Sequence, residues 1–177
     1  MAATVTGASM ASAADARALK TKASLLAWAK VESRTGEELA AACGRHVEVD
    51  RVIASHPSAS AALLSNLSHS ADRATRARVA ANAATPAADI VRLGQQFPNE
   101  FIANPALDLL LLENPALMEQ VTESFLVRLL KQADCPACLL TWASAHAQAK
   151  VQLAVAMNAG APEAAIERLR QSSFGAV

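Results

Sequence analysis

The chain has 177 residues, a formal net charge of zero, and 53% apolar residues, many of which are alanine. This length suits one domain, and the balanced charge argues against a nucleic-acid partner held by a broad basic surface. Aromatic residues make up only 3% of the chain, too few for an extended platform on which bases stack.

Residues 1–14 are rich in alanine, serine, threonine and glycine, and they lack the basic start and continuous apolar core of a signal peptide. We therefore expect a disordered leader. No stretch approaches the roughly 20 apolar residues that a membrane-spanning helix needs. Three cysteines without a regular spacing are typical of a reducing compartment. These features predict a cytoplasmic protein with no membrane contact.

Residues 15–50 predict a pair of helices. Thr35 precedes the second helix as an N-cap, and Glu38 lies at the spacing of a capping box. The first helix carries a stripe at helical spacing, with Trp28 beside it, formed by Leu19, Ala23, Leu26, Ala27 and Lys30. We expect this pair to be a terminal cap, which covers the exposed apolar end of the structure that follows.

A segment of the remaining sequence, residues 51–171, occurs twice. Residues 79–93 return 76 residues later as residues 155–169, with valine, asparagine, proline, isoleucine, arginine and leucine at matching offsets. Weaker copies complete the series and begin at Ile53, Phe101 and Leu129. Because each unit of such a series buries its apolar face only against its neighbours, the pattern predicts a solenoid of about five short repeats.

Aligning the copies gives columns of matching residues. The first apolar column is Ile53, Val79, Phe101, Leu129 and Val155, and the second is Leu64, Ile90, Leu112, Leu140 and Ile166. Between them lies the polar column, formed by His56, Asn82, Asn104, Gln132 and Asn158. We expect the second apolar column to be buried throughout. The asparagines should hydrogen-bond the local backbone at turns, so that replacing Asn82 by alanine costs about 1 kcal/mol.

Proline marks the start of several predicted helices. Thr85 precedes Pro86 as a hydroxyl N-cap, with proline at the first helical position. Residues 104–105 and 114–115 repeat this arrangement with asparagine as the cap. Alternating β-branched runs and tyrosine are absent, whereas alanine is abundant. The predicted fold class is therefore all-α.

The pattern Val-Ala-x-Asn-Pro/Ala-x-Thr-Pro-x-x-x-Ile/Leu-x-x-Leu, carried by residues 79–93 and echoed by residues 155–169, resembles the variant leucine-rich repeat family of bacteria. The likeness covers roughly residues 50–170. It implies HEAT-like repeats, each pairing an α-helix with a short, often 3₁₀, helix. The expected architecture is a right-handed α-superhelix of about five repeats over residues 51–171, followed by a short tail at residues 172–177.

The same resemblance implies a role as a repeat scaffold. One branch of the family carries an N-terminal iron–sulfur cluster held by a group of cysteines. Because the corresponding region here offers only Cys43, we expect no cluster and no other cofactor.

Residues 135–138 have the C-x-x-C spacing of disulfide-exchange motifs. In the repeat alignment, however, Cys135 takes the place of Thr85. Cys138 falls in a column of small apolar residues, with Ala62, Ala88, Leu110 and Ala164. No βαβ pattern surrounds the motif. We expect Cys135 at a helix cap and Cys138 in the core, without redox chemistry.

Cys43 and His46 would complete a Cys₃His zinc site with this pair. They precede it by about 90 residues, so stacked helices, each adding about 8–10 Å, should keep the two halves apart. The histidines, His46, His56, His69 and His146, show no metal spacing. No Gly-rich phosphate loop or nucleophile elbow is present. We predict no catalytic, cofactor-binding or metal-binding residues.

The predicted function is a non-enzymatic helical-repeat scaffold that binds a protein partner along one face. One alternative is a nucleic-acid-binding HEAT-like module related to DNA repair glycosylases, which would use the cluster of Arg73, Arg76 and Arg78. A second basic cluster is Arg168 and Arg170, and the usual role of such clusters is a solvated helix face. The second alternative is a redox or zinc protein that uses the cysteines.

Overall fold

The computed structural model describes residues 13–171, and in this part of the chain all regular structure is helical. The all-α prediction is confirmed for these residues. Within residues 13–171, thirteen α-helices are joined by short turns, with one 3₁₀ helix at Pro115–Gln120. The α-helices are α1 Ala13–Ala18, α2 Lys22–Ala29, α3 Gly36–Ala42, α4 Val47–Ala54, α5 Ala61–Leu67, α6 Arg73–Ala80, α7 Ala87–Gly94, α8 Pro98–Ile102, α9 Leu107–Glu113, α10 Glu123–Leu130, α11 Ala137–Ala143, α12 Ala149–Ala156 and α13 Glu163–Gln171.

Two predicted segments fall mainly outside the described residues. The tail 172–177 lies outside them, and of the leader 1–14 only Ala13 and Ala14 are described, as the start of α1. The predicted boundary between the terminal cap and the repeats, at residues 50 and 51, falls inside α4.

By their order in the chain, the helices from α2 onwards fall into two alternating series, which we call the first row and the second row. The first row is α2, α4, α6, α8, α10 and α12, and the second row is α3, α5, α7, α9, α11 and α13. Close packing within the first row joins α2 to α4, α4 to α6, α6 to α8 and α10 to α12. Each first-row helix ends two residues before the same position of its unit. From α2 to α12 that position is occupied by Val31, His56, Asn82, Asn104, Gln132 and Asn158. We call a first-row helix and the second-row helix that follows it a helix pair. The predicted terminal cap therefore has the same layout as the helix pairs that follow it, with Val31 at the polar-column position.

The second row has one irregular member. Helices α3, α5, α7, α11 and α13 begin five residues after the polar-column position, but α9 begins three residues after Asn104. Leu112 is therefore two residues further along its helix than Ile90 is along α7. At 3.6 residues per turn this is a rotation of about 200°, which carries the side chain to the opposite face.

The burial of the second apolar column follows this register. Its fully buried members are Leu64, Ile90 and Leu140. Ile166 is half-buried, and Leu112 is 78% exposed. The prediction of a buried column is therefore wrong for Leu112, and in α9 the core positions are held by Leu107 and Leu111.

The helix starts agree only partly with the predicted caps. The Thr35 hydroxyl accepts from the backbone N–H of Glu38, whose carboxylate accepts from the N–H of Thr35 at 2.8 Å, so the capping box is confirmed. The prediction for Thr85 is wrong, because Pro86 itself occupies the N-cap position of α7. The Thr85 hydroxyl instead donates to the carbonyl oxygen of Val79 at 2.6 Å, which ties the turn back to α6.

The asparagine–proline pairs also differ from the predicted caps. The N-cap residue of α9 is Ala106 rather than Asn104, whose side chain has another role. Asn114 does precede the 3₁₀ helix as its N-cap, but its side chain makes no capping hydrogen bond.

The buried face of α2 is not the predicted stripe. Its buried residues are Leu25, Trp28 and Ala29, whereas Ala23 and Ala27 are exposed. The helix begins at Lys22, behind the N-cap Thr21. Leu19 therefore precedes the helix and cannot set the phase of its apolar face.

Two clusters of buried apolar residues hold the helices together. One is formed by α1 to α7 and the turn that follows, and the other by α7 to α13. In the second cluster Phe101 and Phe125 pack edge to face, with ring centres 5.8 Å apart. Gly94 allows Phe101 to approach α7, because a Cβ at residue 94 would lie 2.5 Å from the ring of Phe101.

Candidate functional site

The polar column joins neighbouring helix pairs. Asn82 is buried, and its Nδ2 donates to the carbonyl oxygens of Ala54 at 2.9 Å and His56 at 3.1 Å, both in the preceding helix pair. Its Oδ1 accepts from the backbone N–H of Ala84 at 2.9 Å. One side chain therefore holds its own turn and attaches that turn to the end of α4.

Asn104 repeats this geometry one helix pair later. Its Nδ2 donates to the carbonyl oxygens of Ala80 at 2.8 Å and Asn82 at 3.1 Å. Its Oδ1 accepts from the N–H of Ala106 at 2.9 Å. One acceptor, Ala80, is the last residue of the preceding first-row helix, as Ala54 is for Asn82. The other, Asn82, is the polar-column residue of the preceding pair, as His56 is for Asn82.

Asn158 makes the same set of bonds at the far end of the first row. Its Nδ2 donates to the carbonyl oxygens of Leu130 at 2.6 Å and Gln132 at 2.9 Å, and its Oδ1 accepts from the N–H of Gly160 at 2.8 Å. The predicted bonds from the asparagines to the local backbone are confirmed. The bonds to the preceding pair were not predicted, because a single sequence does not show which carbonyls lie opposite.

His56 replaces the asparagine in one pair and uses both ring nitrogens. The N–H of Ser58 lies 3.1 Å from Nδ1, and Nε2 lies 3.1 Å from the carbonyl oxygen of Val31 in the preceding pair. This network assigns the neutral tautomer in which Nδ1 accepts and Nε2–H donates. The position of His56 in the polar column thus has a structural explanation.

Gln132 interrupts the series of contacts. Its side chain is half-buried and makes no hydrogen bond within residues 13–171. In the first row, α8 and α10 are also not packed closely against each other, unlike the other successive helices of that row. An open groove of about 750 Å³ lies beside Gln132 and is lined by Asn99, Ile102, Ala103 and Asp134. The 3₁₀ helix at Pro115–Gln120 lengthens the connection at this point.

Cys135 and Cys138 lie in different environments. Cys135 is buried in the second cluster, and the prediction that it caps α11 is wrong, because the next residue, Pro136, is itself the N-cap residue. Cys138 is exposed, and its Sγ–H donates to Oδ1 of Asp108 in α9 at 2.9 Å. The prediction of a core position for Cys138 is therefore wrong. The alanines at the matching positions are also exposed: Ala62, Ala88 and Ala164. Small residues in this column therefore mark a solvent-facing helix position.

The surroundings of all three thiols favour the protonated form. Burial, followed by the neighbouring Cys138, raises the pKa of Cys135 to about 12. Burial and then the hydrogen bond to Asp108 raise the pKa of Cys138 to about 11. Burial and then Asp50 raise the pKa of Cys43 to about 11. Because the thiolate is the form that attacks disulfides and binds metals, these surroundings oppose the chemistry that the C-x-x-C spacing suggests.

We expect Cys138 to be alkylated by iodoacetamide more slowly than an ordinary exposed thiol near neutral pH. Its raised pKa leaves a smaller thiolate fraction, so the rate should rise about tenfold per pH unit until the pH approaches that pKa. Replacing Asp108 by asparagine should speed the reaction, because it removes a charge that raises the pKa. Intact-mass spectrometry over time gives the rates. Glu113→Gln, an exposed carboxylate elsewhere on α9, is the matched control and should change nothing. An equal effect of both variants would contradict the Asp108 contact.

The candidate metal ligands are not brought together. Within residues 13–171 no group of three or more His, Cys, Asp or Glu side chains is placed to hold a metal ion. Cys43 is the C-cap residue of α3 and His46 is the N-cap residue of α4, whereas the cysteine pair lies at the start of α11. The ring of His146 packs against Trp142, with centres 5.6 Å apart, and its Nδ1 accepts from the N–H of Gln148 at 3.2 Å.

Two arginines of the basic cluster bind the protein's own backbone. Arg76 donates to the carbonyl oxygen of Ser70 at 2.6 Å. Arg78 of α6 donates to the carbonyl oxygen of Arg51 on α4 at 3.2 Å and to the hydroxyl of Ser55, the C-cap residue of α4, at 3.3 Å. Part of the hydrogen-bonding capacity that a phosphate would need is therefore already used.

The third arginine of the cluster faces solvent beside an open groove. The guanidinium of Arg73 lies 5.0 Å from the ring centre of Phe97, and that of Arg76 lies 5.9 Å from it. The groove has a volume of about 500 Å³ and includes Glu100 and Asn99 among its lining residues. Acidic and basic side chains are mixed there, so the groove does not present a uniform charge.

Arg51 and Asp72 form a further link between α4 and α6. The guanidinium donates to both carboxylate oxygens, at 2.9 and 2.7 Å. Oδ2 of Asp72 also accepts from the N–H of Thr75 at 2.8 Å, as the N-cap of α6. The hydrogen bond from Arg51, followed by that from Thr75, lowers the pKa of Asp72. A capping carboxylate was detectable in the sequence, but its partner 21 residues earlier was not.

Comparisons with protein-family models, curated proteins and solved structures found no match for this chain. Among the residues that the structure describes, no helix combines the length and apolarity needed to cross a membrane.

Proposed function

We propose that the chain is a non-enzymatic helical-repeat scaffold, in which the helix pairs stack as a right-handed superhelix and one face binds another protein. The recurring asparagine contact carries this proposal. Asn82, Asn104 and Asn158 each join one helix pair to the preceding pair through the same two backbone acceptors. Contacts that recur between neighbours are what a solenoid uses in place of a single central core.

The packing of the first row and the sequence pattern both support this architecture. Successive first-row helices contact each other from α2 to α8 and again from α10 to α12. The likeness of residues 79–93 and 155–169 to variant leucine-rich repeats points the same way. One difference is that both helices of each pair are α-helices, and the 3₁₀ helix of the described residues lies outside the two rows.

Exposed apolar side chains favour a protein partner over a nucleic acid. The most exposed large apolar side chains are Leu112 at 78%, Met157 at 69%, Leu109 at 57% and Leu153 at 55%. Apolar area of this kind is a feature of protein interaction sites. Conversely, Arg76 and Arg78 are engaged within the chain, and the raised thiol pKa values argue against the redox alternative.

Affinity capture from the native cell, followed by identification of the bound material, tests the proposed function. We expect a protein that remains bound after nuclease treatment and in high salt, because apolar contacts are not screened by ions. A DNA-shift assay with the parent and with Arg73→Gln is run beside it. Bound material that is lost on nuclease treatment, with DNA affinity that falls steeply with salt and with the substitution, would establish the nucleic-acid alternative instead.

A further inference from the structure

The end of α8 leaves open a backbone acceptor that is bonded at the ends of other first-row helices. The last residue of α4, α6 and α10 offers its carbonyl oxygen to the asparagine of the next helix pair, and these carbonyls belong to Ala54, Ala80 and Leu130. Ile102 is the matching last residue of α8. Within residues 13–171 its carbonyl oxygen has no hydrogen-bond donor.

The residues after α10 leave open the groups that would complete this contact. In other pairs the asparagine Oδ1 accepts from the backbone N–H two residues later, as Asn82 does from Ala84. The corresponding N–H here is that of Asp134, and it has no acceptor among the described residues. The side-chain amide of Gln132 is also without a partner in this part of the chain. An acceptor therefore remains open at the end of α8, and a donor and an amide remain open after α10.

The open groups belong to residues that line one groove. The groove of about 750 Å³ beside Gln132 is lined on one side by Ile102 and on the other by Asp134. It lies where α8 and α10 are not closely packed against each other. Its volume is within the range of about 300–1,000 Å³ that is usual for ligand-binding clefts. The groove therefore combines space for a ligand with backbone groups that lack partners within the described chain.

We propose that this groove binds an extended peptide segment of a partner protein through the main chain of that segment. Each residue of a peptide other than proline carries one N–H donor and one carbonyl acceptor. A short segment can therefore donate to the carbonyl of Ile102 and accept from the N–H of Asp134 and the amide of Gln132. Open backbone groups bind extended peptides in the same way at exposed sheet edges. The inference rests on the proposed scaffold, for which it names the binding site and the kind of partner.

The lining of the groove also indicates the side chains of the segment. Alternate side chains of an extended peptide point to the same side, so every second one faces the groove. Ile102, Ala103 and Ala133 offer apolar surface to a small apolar side chain. The carboxylate of Asp134 is exposed and forms no ion pair within residues 13–171. We therefore expect a lysine or arginine of the segment to lie beside it.

Selection from a library of random seven-residue peptides displayed on phage, with the full chain immobilised, supplies the probe for the test. The enriched peptides are synthesised, and fluorescence polarisation gives their affinity. We expect them to contain lysine or arginine. Gln132→Ala should weaken binding about tenfold, because it removes hydrogen bonds to the peptide. Asp134→Asn should weaken it about two- to fivefold, as for a partly exposed ion pair.

Methylation of the peptide's backbone nitrogens distinguishes recognition of the main chain from recognition of side chains alone. It removes the N–H that the carbonyl of Ile102 would accept, and it leaves the side chains unchanged. We expect the methylated peptides to bind at least about tenfold more weakly than the unmodified ones. Equal affinity of the two forms would overturn the proposed mode of binding.

Gln148→Ala is the matched control, because Gln148 is an exposed glutamine before α12 whose side chain makes no capping hydrogen bond. This variant should bind the peptides as the parent does, and chemical denaturation checks that both glutamine variants remain folded. Failure to enrich any peptide, enriched peptides without basic residues, or equal affinity of Gln132→Ala and the parent would each overturn the proposed site. A captured protein partner whose binding is unaffected by Gln132→Ala would leave the scaffold standing and remove only the groove as its binding site.

Discussion

Replacing Ile90 by alanine is expected to lower the free energy of unfolding by about 2–5 kcal/mol, the cost of truncating a fully buried aliphatic side chain. Ile90 has no exposed surface and belongs to the cluster formed by α7 to α13. Truncation removes apolar contacts and leaves a cavity that the surrounding helices fill only in part. Chemical denaturation followed by circular dichroism gives the free energy.

Leu112→Ala is the matched control, since the repeat alignment places Leu112 in the same column as Ile90. The structure exposes 78% of Leu112, so the variant should stay within about 0.5 kcal/mol of the parent. If Leu112→Ala proved as destabilising as Ile90→Ala, the early start of α9 and its rotated register would be wrong.

Replacing Asn82 by alanine is expected to cost about 2–4 kcal/mol, because three hydrogen bonds are lost at a buried position. The variant leaves the carbonyl oxygens of Ala54 and His56 and the N–H of Ala84 without their partner. This cost exceeds the roughly 1 kcal/mol expected for a residue that only stabilises its own turn. The additional loss reflects the attachment of one helix pair to the preceding one.

The sequence predicted the all-α class and the turn positions of the asparagines in the polar column, because both depend on local chemistry. The polar column marks the end of each first-row helix from α4 to α12, and Thr35 forms its capping box. These features follow from short-range spacing and from the preferences of single residues at helix ends. They need no knowledge of which helices meet in space.

The errors arose where a loop length or a distant contact decides the outcome. Leu112 was misplaced because two residues are missing between Asn104 and α9. Cys138 was misplaced because alanine suits both a tight core and an exposed helix surface, so a column of alanines does not distinguish them. The bonds from Asn82 to Ala54 and from Cys138 to Asp108 span 28 and 30 residues, a separation that a single sequence does not resolve.

The most direct test of the stacked helix pairs compares alanine variants along the polar column. Asn82→Ala, Asn104→Ala and Asn158→Ala remove a side chain that bonds two carbonyls of the preceding pair, whereas Gln132→Ala removes one that bonds none among the described residues. The free energy of unfolding of each variant is measured by chemical denaturation. We predict losses of about 2–4 kcal/mol for the asparagine variants and less than about 1 kcal/mol for Gln132→Ala. Equal losses at all positions, or no loss at the asparagines, would contradict the proposed stack.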